Sequence, residues 1–216
     1  MAELSHADIF SLRFRFQHSI QNTMLKKLFM GATVAATLVL GACKDQTSTL
    51  PANQASATSV SIDAIQAEAK GFSVGVPMSA RTVYVFFDPQ CPHCTVLWKS
   101  AKPLKNQIRF LWIPVGIINA SSTSQGATIL AMPDPKAAMD AHEVSMTAKT
   151  GGISATRDIE PSKAAVAQNT QLMTRFGFAS IPTIVTTNVQ TGALITHEGS
   201  MPTAALASFL GLTVRP

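Results

Sequence analysis

The stretch Val83 to Cys94, Val-Tyr-Val-Phe-Phe-Asp-Pro-Gln-Cys-Pro-His-Cys, constrains the fold more than any other part of the chain. The run Val83 to Phe87 is apolar and rich in β-branched and aromatic residues, so it reads as a buried strand. Asp88-Pro89 ends that strand in a turn. Cys91 and Cys94 follow one helical turn apart, so the strand delivers a Cys-X-X-Cys pair to the start of a helix. Unpaired N–H groups and the positive end of the helix dipole favour a thiolate there. The chemistry such a pair supports is thiol–disulfide exchange. Other readings of the pair are weaker. A disulfide across so short a loop gains little chain entropy. A structural zinc needs four ligands, and the sequence holds no second cysteine pair. Thr95 stands where covalent haem attachment needs histidine.

Three cysteines make one pair and one left over, Cys43. It closes the stretch Leu40-Gly41-Ala42-Cys43, at the end of an apolar run from Leu28 to Gly41 that Lys26-Lys27 precede. A basic start, a short apolar run and small residues before a cut describe a secretory signal. The run is shorter than the ~20 residues that a spanning helix needs. A cysteine directly after the small residues is similar to the lipobox of bacterial lipoproteins, which implies lipidation at Cys43; an ordinary signal with an incidental cysteine is the alternative. Residues 1–23 carry two acids, Glu3 and Asp8, and no signal-like pattern, whereas Met24-Leu25-Lys26-Lys27 reads as a normal start. Translation is therefore expected to begin at Met24.

Residues 44–60 are small and polar and cannot bury enough surface to offset their ordering entropy, so a flexible tether is expected. Residues 61–79 read as a short helix and linker, with Ile62, Ile65 and Ala69 at helical spacing and Gly71 and Gly75 as breakers. Residues 80–216 read as the main domain. Within it the pattern predicts a strand over Thr82–Phe87 and a helix over Cys91–Gln107 kinked by Pro103 near residues 99–100. A strand over Ile108–Val115 follows, then helices over Ser121–Ala131, Asp134–Lys149 (with Asp134 as N-cap) and Pro161–Phe176. Short strands over Thr183–Thr187 and Ala193–His197 and a helix over Pro202–Leu210 complete it. This order is that of an α/β protein with a thioredoxin fold and a helical insertion. The net charge of +5 is modest, and Arg13, Arg15, Lys26 and Lys27 lie before residue 43. With one Tyr and two Trp, neither a basic patch nor a stacking surface argues for nucleic acid.

The chain resembles the thioredoxin-fold family of periplasmic disulfide oxidoreductases, and within it the catalytic domain of DsbG, with DsbC next. The matching stretches are residues 83–94, Pro-Val-Gly-Ile-Ile at 114–118, Gly-Ala-Thr-Ile-Leu-Ala at 126–131 and Ala-Ser-Ile-Pro-Thr-Ile-Val at 179–185. The resemblance covers roughly residues 80–211. It implies a periplasmic enzyme that needs no cofactor or metal and acts on proteins with cysteines or disulfides. A membrane protein of the DsbD or DsbB kind would reset it, and the lipid at Cys43 would be its membrane attachment. Cys91 is the expected nucleophile, Cys94 the resolving thiol, and His93 a donor beside the Cys91 sulfur. Pro182 matches the family's cis proline, and Ile181 and Pro92 are expected to line the substrate.

Two departures leave the direction of exchange open. Little chain precedes residue 80 to form the family's dimerisation module, which lowers isomerase. Pro-His between the cysteines is the dipeptide of the oxidase DsbA, whereas DsbG relatives carry Pro-Tyr. The leading expectation is a DsbG-like isomerase or reductase; the alternatives are a disulfide-donating oxidase and a client-binding holdase. Among weaker candidates, Asp88 is expected to shape the turn, Trp98 to pack near the site, and Met139 and Met146 to pack in the core rather than form a client surface. His142 and His197 are expected at the surface or half-buried.

Overall fold

The computed structural model describes residues 57–214. The signal, Cys43, the start at Met24 and residues 44–56 of the tether lie outside the described residues. Among the described residues no helix is long and apolar enough to cross a membrane.

The elements run α1 (Ile62–Glu68), β1 (Phe72–Gly75), β2 (Thr82–Phe87), α2 (Pro92–Ala101), β3 (Arg109–Pro114), α3 (Ala120–Ala131), α4 (Pro135–Thr147), α5 (Glu160–Arg175), β4 (Thr183–Thr187), β5 (Leu194–Glu198) and α6 (Thr203–Leu210). They form one five-stranded sheet in the order β1-β3-β2-β4-β5. β2 and β3 are parallel, and the other pairings are antiparallel. The apolar run of β2 is continuous because both faces of the central strand are covered. Val83, Val85 and Phe87 point into one core with Leu97 and Trp98 of α2 and Leu206 and Leu210 of α6. Tyr84 and Phe86 point into a second core with Ile65 of α1, Leu172 and Met173 of α5, and Phe176 just after it. α3, α4 and α5 are inserted between β3 and β4.

Two stretches depart from the sequence reading. The linker expected after α1 contains β1, paired antiparallel with β3 through Phe72–Trp112 and Gly75–Arg109. Phe72 enters the aromatic cluster, 6.3 Å from Phe87 and 6.0 Å from Trp98 between ring centroids. The glycines that read as breakers make this strand possible. A Cβ on Gly71 would stand 2.4 Å from the Trp112 carbonyl oxygen, and Gly75 has φ of +115°. The helix after the cysteines stops at Ala101 instead of continuing kinked to residue 107. Pro103 has no N–H for the α-helical ladder, and residues Lys102–Leu104 tighten into a single 3-10 turn.

Caps follow the local sequence. Ala137 N–H donates to the Asp134 carboxylate at 2.9 Å, with Pro135 at the first helical position of α4. Asn119 caps α3 in a reciprocal box with Ser122. Ile65 is fully buried although α1 precedes the main domain as read from sequence. Replacing it with alanine should cost about 2–4 kcal/mol, measured as a lowered denaturant midpoint. An unchanged midpoint would show that α1 is not part of the cooperative unit.

Candidate functional site

Cys91 is the N-cap of α2, with φ −89° and ψ 115°, and Pro92 occupies the first helical position. The turn that places it is closed by Cys91 N–H donating to the Asp88 carbonyl at 3.0 Å. Asp88 is fully buried, and backbone amides satisfy its carboxylate. Gln90 N–H donates to Oδ1 at 2.8 Å, and Ile117 and Ile118 N–H donate to Oδ2 at 2.7 and 3.0 Å. One side chain thus ties the end of β2 to the loop after β3.

Both cysteines are free thiols. Hydrogen bonding from the Cys94 thiol is the largest influence on the Cys91 sulfur. Burial opposes it, and the backbone N–H groups of Cys94 and His93 reinforce it, lowering the Cys91 pKa from its ordinary 9.0 to about 7. The Asp88 charge works against this lowering. Cys94 is pushed well above its ordinary value, first by burial and then by its hydrogen bond and repulsion with Cys91. Residue 93 contributes its backbone amide to the sulfur, while its side chain and Pro92 are exposed. One thiol is therefore ionised near neutrality, and the other waits protonated one turn along the helix.

Across from the cysteines, the Ile181–Pro182 peptide bond is cis. It brings the Ile181 carbonyl oxygen to 3.7 Å from the Cys91 sulfur, which donates to it as a thiol. Ile181 is half-buried and Pro182 buried. Ile117 and Ile118, held by Asp88, are 47% and 46% exposed, so an apolar surface flanks the turn that carries Cys91. Trp98 packs at 4.8 Å from Trp112 and donates from Nε1 to Asp140 at 3.0 Å. Burial would raise the Asp140 pKa, but hydrogen bonds from Lys102, Lys136 and Trp98 outweigh it and hold it at about 2.

His142 corrects the sequence reading. It is fully buried, and its Nε2 lies 2.8 Å from the Pro89 carbonyl oxygen. The usable signal was its register: with Ala138, Met139 and Glu143 it lines the buried face of α4. Met139 is buried in the core. His197 packs its ring 5.8 Å from Phe209. Gln90 and Gln125 are functional-looking residues that the sequence did not single out. Gln90 donates to Gln125 and to the Gly151 carbonyl at 3.0 Å, and Gln125 donates to the Gly151 and Ile153 carbonyls at 2.8 and 2.9 Å. An amide network of this kind leaves no periodic trace. Among the described residues no cluster of His, Cys, Asp and Glu is suited to a metal ion.

A family model described as a thioredoxin-like domain matches residues 77–212. The thiol:disulfide interchange protein DsbG of Pseudomonas aeruginosa is 34% identical over 137 residues, which are 61% of this chain and 51% of that protein. DsbG of Escherichia coli is 37% identical over 65 residues, 29% of this chain and 26% of that protein. The chain thus spans about half or less of the length of these curated relatives. Among solved structures, the catalytic domain of Proteus mirabilis ScsC aligns with a TM-score of 0.52 at 18% identity, covering 69% of this chain and 92% of that one. Pseudomonas aeruginosa DsbA2 aligns with a TM-score of 0.53 at 18% identity, covering 65% of this chain and 95% of that one. At such identities the likeness shows the fold, a thioredoxin fold with inserted helices.

Alkylation of the reduced protein should modify Cys91 with a half-maximal rate at pH about 7 and leave Cys94 untouched, read by peptide mass mapping; equal labelling would overturn the assignment. Stability should follow the same acidity. The folded pKa of Cys91 is depressed, so its contribution is full above 9.0 and is lost as pH falls through about 7. The raised pKa of Cys94 acts at pH above its ordinary value. The reduced protein should therefore gain stability between those two pH values, and a Cys91→Ser variant should lack that rise in its denaturation midpoints.

Proposed function

Because the chain belongs to the thioredoxin-like domain family, we propose that it is a thiol:disulfide oxidoreductase acting on protein substrates through Cys91 and Cys94. The observation that carries this reading is the opposed acidity of two free thiols one helical turn apart. The Cys91 thiolate attacks one sulfur of a client disulfide. The client S–S bond breaks, a mixed disulfide with Cys91 forms, and the departing client sulfur takes up a proton. Cys94 then loses its proton and attacks the Cys91 sulfur, releasing the second client thiol and leaving a Cys91–Cys94 disulfide. The client gains two electrons and the protein loses them, so a membrane redox partner must return them. Run backward, the same steps donate a disulfide, and the partner must then withdraw the electrons.

Pro182 and Ile181 are proposed to present their backbone to an extended client segment beside Cys91, with Pro92 and His93 on the exposed rim of the contact. The proposed compartment is the periplasm, with a lipid on Cys43 holding the domain near its membrane partner and raising their effective concentration. The similarity to DsbG favours isomerase or reductase work on protein disulfides. The oxidase alternative rests on the Pro-His dipeptide between the cysteines; a Cys91 thiolate that forms near neutrality has the acidity of thioredoxin rather than of DsbA and does not favour it.

A Cys94→Ser variant should accumulate mixed disulfides with client proteins, visible as adducts that collapse on reduction. A Cys91→Ser variant should form none and should abolish insulin reduction by the parent's assay. Adducts on both variants, or on neither, would reject Cys91 as the attacking thiol. Acid quenching and alkylation in cells then reads the direction: a reduced pair means isomerase or reductase, an oxidised pair means oxidase.

A further inference from the structure

We propose that His142 is a positioning residue for the redox turn, reaching from the inserted helices to hold the Pro89 carbonyl so that Cys91 stays under the amides at the start of α2. This rests on the reading of Cys91 as the attacking thiol. The imidazole is fully buried and engages both nitrogens. Nε2 is 2.8 Å from the Pro89 carbonyl oxygen, and Ile153 N–H donates to Nδ1 at 3.2 Å. A carbonyl only accepts and a backbone N–H only donates, so the two partners select one form: neutral, with the proton on Nε2. Burial lowers the His142 pKa against the pull of Asp88 and the Pro89 carbonyl, and so supports the neutral form.

The surroundings hold the ring in that place. Gly152 has φ of +89°, and a Cβ there would stand 2.4 Å from the His142 Cε1, so the loop after α4 closes on the ring only with glycine. Ser145 on α4 fastens the same loop, accepting from Gly152 N–H at 3.1 Å and donating to the Gly152 carbonyl at 3.0 Å. At the other end, Pro89 is buried in the turn that Cys91 N–H closes onto Asp88. Without His142 its carbonyl would lose its donor, and the turn could rotate to find another. Rotation would carry Cys91 away from the His93 and Cys94 amides that favour its thiolate. Asp88 fixes one end of this turn, and His142 fixes its middle.

Two variants separate positioning from bulk packing. In His142→Gln, Nε2 overlies the imidazole Nε2 and can still donate to Pro89. In His142→Asn, the amide overlies Nδ1 and can keep only the Ile153 contact. Thermal unfolding establishes that each reduced variant is folded, and ultraviolet thiolate absorbance against pH reads Cys91. The Asn variant should raise the Cys91 midpoint by half a unit or more, about a threefold fall in the thiolate-to-thiol ratio at a given pH, while the Gln variant keeps the parent's midpoint. An Asn variant that titrates like the parent, or a Gln variant shifted as far as Asn, would overturn the proposal. Should Asn prevent folding, nitrogen NMR of the unaltered full chain supplies a second readout. A proton on Nε2 throughout the Cys91 titration is expected, and a proton on Nδ1 would overturn the proposal. Because absorbance reads the sulfur itself, this pattern in a protein that neither reduces a client disulfide nor donates a disulfide to a client would refute the exchange reading and leave the positioning role intact.

Discussion

A buried carboxylate needs either a cation or a set of donors, and Asp88 has donors. Amides of Gln90, Ile117 and Ile118 converge on it at 2.7–3.0 Å. These amides come from two segments that β-pairing alone would leave independent, the turn after β2 and the loop after β3. With the carboxylate between them, Cys91 can follow after only a short turn and still arrive at the helix start in a fixed orientation. The arrangement carries an electrostatic cost, since the Asp88 charge raises the pKa of both cysteines. Local hydrogen bonds and amides overcome that cost at Cys91, where the net shift is downward. At Cys94 burial acts in the same direction as the charge. The acidities of the pair are thus separated by hydrogen bonding at Cys91 and burial at Cys94, against a carboxylate charge that acts on both alike.

The sheet and the cysteine helix were legible because their signals are local. Thr82–Phe87 is a continuous apolar run, Asp134-Pro135 a cap followed by a first-turn proline, and Cys91-Pro92 a helix start. The boundaries of β2 and β4 agree with the sequence reading, and those of the inserted helices agree to within a residue or two. What escaped depends on partners far along the chain. Phe72–Gly75 is too short to announce a strand and becomes one through Trp112 and Phe87. His142 looked like a surface residue because its donor and acceptor, Ile153 and Pro89, lie on other segments. The Gln90–Gln125 contact joins the turn before α2 to α3, and no spacing rule links the two residues.

The inserted helices therefore do more than fill the crossover between β3 and β4. α3 contributes Gln125, α4 contributes His142, and the loop after α4 contributes the Gly151 and Ile153 carbonyls, and all of them bear on the turn from Asp88 to Cys91. A thioredoxin-type sheet already supplies the strand, the helix start and the facing proline. The insertion adds polar contacts to the turn, from His142 to the Pro89 carbonyl and from Gln125 and the Gly151 carbonyl to Gln90. The exposed rim formed by Pro92, His93, Ile117 and Ile118 is left for a partner, and it is apolar where it meets the loop that Asp88 holds. The contacts of Asp88 and His142 with the turn are buried, while Cys91 itself is 4% exposed and the Pro-His dipeptide beside it faces outward.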